Sequence, residues 1–274
     1  MFATLNSQNS ARRTLKCAGP RLARAFWVGL VAACIVAGTA TADQTTPADD
    51  KTQFLQWAEK AYLTAKQQYE ASPTNTEAAW HFGRASFDRA EFATNDTERS
   101  AIAEPAIAAM RALVAQDPKL AAGHYYLAMN LGQSARTKLL GALTLVDEME
   151  KEFKITRDLD PKFDYAGADR NLGSLYFEAP GWPASIGNHS LARKHFEAAE
   201  KLAPDYPENH LNLLAADVKW NDTKGMRKEL AALTELWPKA QAQFTGEEWA
   251  SSWADWQARW ADLKAEAEKL LAPK

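Results

Sequence analysis

From about residue 51 to the C-terminus, apolar positions recur at alternating intervals of three and four, which is the mark of helices with one buried face. The first stretch, 51–71, carries Phe54, Trp57/Ala58, Ala61/Tyr62, Ala65 and Tyr69, and Ser72-Pro73-Thr74-Asn75 breaks it. A second helix starts near Glu77 with Trp80, Gly83, Phe87 and Ala90 on one face. A third runs through Ile102, Pro105, Met110, Leu113 and Val114 to Asp117-Pro118, with Pro105 expected in its first turn, where the missing N–H costs nothing. Two helices follow over 120–133 and 137–159, the longer one marked by Leu139, Leu143, Val146, Met149, Phe153 and Thr156 and ended by Asp160-Pro161. The pattern continues over 166–177, 190–203, 207–220 and 223–236. Last, Thr245-Gly246-Glu247-Glu248 reads as a capping box ahead of a stripe, Trp249, Trp253, Trp256, Trp260, Leu263, Ala267 and Leu270. No stretch has the period of two that a half-buried strand needs, so the pattern predicts an all-α chain of about ten helices.

Within this pattern one spacing recurs. Ala192, Phe196 and Ala199 form a narrow helix face ending at Pro204, and upstream stand Leu172-Gly173 and Tyr176. Together these resemble a tetratricopeptide repeat (TPR), a helical hairpin whose first helix carries Leu-Gly…Tyr and whose second carries Ala…Phe…Ala…Pro. Phe153 precedes Pro161 by the same interval as Phe196 precedes Pro204, and the endings Pro118, Pro161, Pro204 and Pro238 lie 43, 43 and 34 residues apart. The resemblance implies an α-solenoid of about four hairpins with an extra helix at each end, spanning 43–274, with the helix at about 245–272 closing the open end. The turn between Gly173 and Ala192 is longer than the family's, and the surplus falls in 177–190, FEAPGWPASIGNHS. Its prolines and glycines predict an ordered loop, with Pro180, Trp182, Pro183 and Ile186 as candidate contacts or, for Trp182, as a plug between helices.

TPR proteins use the concave face lined by the first helix of each pair. Carried over residue by residue, that register points to Trp80, Arg84 and Asp88; to Tyr125, Met129 and Gln133; and to Arg170, Ser174 and Glu178. Aromatics beside an arginine and polar tips suit a groove for a peptide or small anion, while packing is the competing role of Trp80 and Tyr125.

Residues 1–42 are a separate object. Arg12, Arg13, Lys16, Arg21 and Arg24 precede an apolar run over 25–38 and then Ala40-Thr41-Ala42, the plan of a secretory signal peptide cleaved after Ala42. Val31-Ala32-Ala33-Cys34 resembles a lipobox, so acylation of Cys34 stays open as the alternative; Arg12-Arg13 loosely matches a twin-arginine signal. Both cysteines, Cys17 and Cys34, lie in this leader, which leaves the rest of the chain without disulfide or thiolate chemistry. Removing it leaves 27 basic against 35 acidic residues, a net charge of −8, which argues against a nucleic-acid partner. HExxH, GxSxG, P-loop and dinucleotide-binding patterns are absent, and no pattern calls for a cofactor or a metal among His81, His124, His189, His195 and His210.

A narrower resemblance covers roughly 76–236. HYYLAMNLG, then LDPKFDYAGADRNLGSLYFEAPGWPASIGN and ARKHFEAAEKLAPDYPENHLNLLA, are similar to the T component of TRAP transporters. That resemblance implies a non-enzymatic periplasmic accessory protein of a Gram-negative bacterium, a TRAP solute-binding protein as partner, and a homo-oligomer, a trimer with a pore or cleft for a hydrophobic or acidic ligand. Two other readings stay open: a general cell-envelope assembly scaffold, and a hydrolytic enzyme on a helical scaffold. The tryptophan stripe is expected to cap the solenoid from within one chain, with a subunit seam or an aromatic ligand platform as the alternatives.

Overall fold

A computed structural model describes residues 48–138 and 141–273. The leader, its cleavage after Ala42 and the lipobox Cys34 lie outside the described residues. Among the described residues ten α-helices follow one another: α1 Ala48–Ala71, α2 Thr76–Ala90, α3 Asp96–Gln116, α4 Ala121–Ala135, α5 Ala142–Leu159, α6 Phe163–Glu178, α7 His189–Leu202, α8 Pro207–Trp220, α9 Thr223–Gln243 and α10 Ala250–Leu271. A 3₁₀ turn, Glu247–Trp249, leads into α10.

The helices pair as α2/α3, α4/α5, α6/α7 and α8/α9, with α1 packed on α2 and α10 on α8. The first helices also pack on one another in a row, α2 on α4, α4 on α6, α6 on α8 and α8 on α10. The chain is thus an all-α solenoid of four hairpins with a further helix at each end, as the periodicity predicts. Within a hairpin, small residues set how closely the partners approach. A Cβ on Gly173 would lie 2.4 Å from the Phe196 ring, so only glycine lets the Leu-Gly face and the Phe196 face meet.

Side-chain caps mark four of the starts. Asn75, Asn95 and Asn188 each accept a backbone N–H of the first turn, and Asp222 accepts two, from Lys224 and Gly225. Four boundaries differ from the sequence reading. Pro105 and Pro238 lie inside α3 and α9 rather than in a first turn or at an end. Each is exposed, and so are Ala101 and Thr234, the residues whose carbonyls lose a backbone donor, so water can take the donor's place. α5 begins at Ala142, not near residue 137, because Gly141 takes a left-handed conformation (φ 86°) there. The expected capping box at 245–248 does not form: Gly246 turns the chain at φ 101° without a side-chain cap, and the 3₁₀ turn intervenes before α10.

The core divides in two. One cluster runs through α1–α8 around Tyr125, Tyr126, Phe153, Leu172 and Phe196. The second joins α8, α9 and α10 around Tyr206, Leu214, Phe244 and Trp256. Trp256 is fully buried within the chain and Trp249 is buried, while Trp253 and Trp260 pack partly buried on the same cluster. Trp256 meets Tyr206, Phe244, Trp249 and Trp253 at ring-centroid distances of 5.1–5.9 Å. The stripe is therefore turned inward and closes the end of the first-helix row.

Candidate functional site

A cleft of about 700 Å³ opens between α1, α2 and the entry to α10. Helical geometry explains how α1 serves two neighbours. Phe54, Ala58 and Ala65 are buried and form the inner edge of the cleft, and Trp57, Ala61, Thr64 and Gln68, at i, i+4, i+7 and i+11, line it beside them. On α2, His81, Arg84, Ala85 and Asp88 form the second wall. Glu247, Glu248 and Ser251 form the third, reaching the same cavity from the far end of the chain. The curvature of the row thus brings its first and last helices to one space.

The walls differ in chemistry. Aromatic and small side chains make the α1 wall apolar, with exposed Lys60 at its edge. On α2, Arg84 and Asp88 form an ion pair at 3.7 Å, and His81 stacks on Trp80 at a centroid distance of 3.7 Å. Burial holds the His81 imidazole below its ordinary pKa, which keeps it neutral and able both to donate and to accept a hydrogen bond. Glu247 and Glu248 are exposed and give the third wall a negative charge. The stripe of α1 from Trp57 to Gln68 rises about 16 Å, the reach of roughly five residues of extended chain.

Of the nine concave-face residues expected from sequence, only Arg84 and Asp88 line this cleft. Trp80 is half-buried and packs on Tyr126. Tyr125 and Gln133 are fully buried and Met129 is buried. Tyr125 donates its hydroxyl to Asp164 Oδ2 at 2.6 Å, and the Gln133 amide bonds to the Glu91 carboxylate. Arg170 is also buried, and its fork donates to Asp164 Oδ2 at 2.8 Å and to the carbonyls of Asp164 and Tyr165 at 3.0 Å. Ser174 bonds back to the Arg170 carbonyl at 3.2 Å, and Glu178 is exposed. Register alone could not tell a polar side chain facing a groove from one facing an internal partner. The missed wall on α1 had a signal, a second stripe through Trp57, Ala61, Thr64 and Gln68 beside the buried one.

The insertion is a closed loop. Gly187 N–H donates to the Pro180 carbonyl at 2.9 Å and Asn188 N–H to the Tyr176 carbonyl at 2.8 Å. A Cβ on Gly187 would sit 2.0 Å from the Ala179 carbonyl oxygen, so the closure needs glycine there. Ile186, not Trp182, is the side chain that packs on the core. Trp182 is 88% exposed, beside exposed Pro183 and half-buried Pro180, and it plugs nothing.

Among the described residues one group has ligand-type atoms close together: Glu200, His210 and Glu229, within 4.8 Å of one another. The Lys228 ammonium already bridges its carboxylates, 2.8 Å from Glu200 and 3.0 Å from Glu229. The group holds its own cation and reads as an ion-pair network.

No protein-family model matches this chain, and no curated protein matches it. Among solved structures it is similar to a thermophilic TPR protein of Thermus thermophilus, with a TM-score of 0.53, 16% identity, and 78% of this chain and 99% of that one covered. The fold is TPR-like.

Proposed function

We propose that this protein is a non-enzymatic binding scaffold that holds an extended segment of a partner protein in the cleft between α1, α2 and the entry to α10. The observation that carries this reading is the cleft itself: an apolar wall with Trp57 at one end, a polar wall able to meet peptide N–H and C=O groups, and a length of about five extended residues. Opposite charge favours a segment with a basic residue facing Glu247 and Glu248. The finer assignment rests on the sequence resemblance: an exported accessory component of a TRAP-type transport system, with a solute-binding protein as partner, acting in the periplasm.

Ala61→Trp tests it. Ala61 is exposed on the floor of the cleft, so the larger ring fills the cavity without entering the core. Wild-type protein immobilised against periplasmic extract is expected to retain a solute-binding protein, identified by mass spectrometry, and the substituted protein to lose it. Equal retention by both would place recognition elsewhere. Retention of some other envelope protein, lost on substitution, would keep the scaffold and remove the transport assignment.

A further inference from the structure

Three successive hairpins carry a buried acid–imidazole pair at one register. In the second helices, Glu152, His195 and Glu229 each stand nine residues before a proline: Pro161, Pro204 and Pro238. Their partners in the first helices are His124, Asp169 and His210, at 2.5, 2.7 and 2.8 Å. All six side chains are buried. In the α2/α3 hairpin the second-helix position is Ala109, nine residues before Pro118. The middle pair has its acid and base exchanged between helices.

That exchange divides the pairs chemically. In the outer two, both ring nitrogens face acceptors. His124 Nδ1 meets Glu152 and its Nε2 meets the Pro118 carbonyl at 3.0 Å; His210 Nδ1 meets Glu229 and its Nε2 meets the Pro204 carbonyl at 2.9 Å. A neutral imidazole has one N–H and can satisfy one acceptor, leaving a lone pair against the other. Only the doubly protonated ring satisfies both. His195 meets Asp169 through Nδ1, which a neutral ring with its proton on Nδ1 already satisfies.

We propose that His124–Glu152 and His210–Glu229 are proton-operated clasps, each holding the two helices of its hairpin together fully only while its imidazole carries both protons. The charged groups facing the rings fit this role. Around His124 these are Glu152 and Lys151 of α5, the lysine 3.9 Å from that glutamate. Around His210 they are Glu229 and Lys228 of α9 and Glu200 of α7. Burial pulls each histidine's pKa down, but the bonds to glutamate and carbonyl outweigh it and both pKa values lie above 6.5. A histidine whose folded pKa is raised contributes stability that is fully present below the unfolded value and is lost as pH rises through the folded value. The clasps therefore weaken above about pH 6.5, whatever occupies the cleft.

The test is two-bond ¹H–¹⁵N spectroscopy of purified protein labelled with ¹⁵N-histidine, with urea unfolding followed from pH 6.5 to 9. His124 and His210 are expected to keep the doubly protonated ring pattern to a higher pH than they do in the urea-unfolded chain. The unfolding constant is expected to rise by up to about tenfold per pH unit for each of the two rings. Replacing a pair by apolar residues, His124→Leu with Glu152→Leu or His210→Leu with Glu229→Leu, is expected to remove that ring's share of the pH slope, and it avoids stranding a buried carboxylate. Loss of that pattern for both histidines at or below the pH at which the unfolded chain loses it, or an unchanged slope in the folded double variants, would overturn the proposal. Should neither double variant fold, the wild-type ring spectra still decide it.

Discussion

The row of first helices is held at α6 and at α10 by opposite means. At α6 the helix opens with three consecutive non-glycine residues in the left-handed region, Asp164, Tyr165 and Ala166, at φ 55°, 53° and 61°. Such a conformation costs roughly 1–2 kcal/mol per residue, and it turns two carbonyls away from helical donors. A polar hub compensates. Arg170 takes both carbonyls and the Asp164 carboxylate, Tyr125 and Asn171 complete the ring around Asp164, and Asn209 reaches in from α8 to the Tyr165 carbonyl. At α10 the joint is mostly apolar: stacked and edge-on rings, with Trp253 Nε1 donating to the Phe244 carbonyl and Arg259 donating to Asn212 Oδ1 of α8, each at 2.6 Å. Trp256 Nε1 is buried with no hydrogen-bond partner among the described residues. The two regions meet at Tyr206, which lies under the Arg170 guanidinium at 5.0 Å and against the edge of Trp256. An irregular backbone inside a stack needs polar partners in fixed places, whereas the end of a stack is held mainly by buried area.

The largest effect is expected from Arg170→Ala. It leaves the Asp164 carboxylate buried without its cation and removes the donor from two carbonyls, so the loss should be at least about 3–5 kcal/mol in urea unfolding. Arg170→Lys should recover only part, because an ammonium cannot reproduce the planar fork. If alanine costs less than about 1 kcal/mol, the hub does not hold the left-handed turn and the contrast with the cap collapses.

Trp256→Ala comes next, with an expected loss of about 3–5 kcal/mol for a fully buried aromatic and no change in oligomeric state by light scattering. Trp256→Phe separates the two regions. With no indole hydrogen bond to lose, an apolar replacement should restore most of the stability, a rescue that no apolar residue can give at Arg170. A folded monomer released from a wild-type oligomer by Trp256→Ala would instead mark the stripe as a subunit seam.

How much of this was legible in the sequence follows the same division. The cap announced itself, because Trp249, Trp253, Trp256 and Trp260 recur at helical spacing and bulky aromatics at that spacing seek a core. The hairpin order was legible for the same reason, through Phe153, Phe196 and the prolines after them. The hub was not. Nothing in DYAGADR signals a left-handed turn, since aspartate, tyrosine and alanine are all ordinary helix residues. Arg170 and Tyr125 therefore looked like groove residues when they serve that turn. Pro105 and Pro238 misled because a proline's effect depends on whether water can reach the carbonyl it frees, which spacing does not reveal.

The smallest effect on stability, and the sharpest on surface chemistry, is expected at Trp182. It shares its residue type with the cap but not its surroundings: 88% exposed, at the tip of a loop closed by backbone bonds and anchored by Ile186. Trp182→Ala removes almost no buried area, so the unfolding free energy should move by no more than about 0.5 kcal/mol. A larger loss would mean that the ring supports the fold after all and belongs with Trp256. Rigid exposed aromatics of this kind lose little freedom on contact and often anchor interfaces. Partner retention by Trp182→Ala, measured beside Ala61→Trp, therefore asks whether the loop shares in recognition: loss of retention at unchanged stability makes the loop a second contact beyond the cleft, and full retention leaves the cleft to act without it.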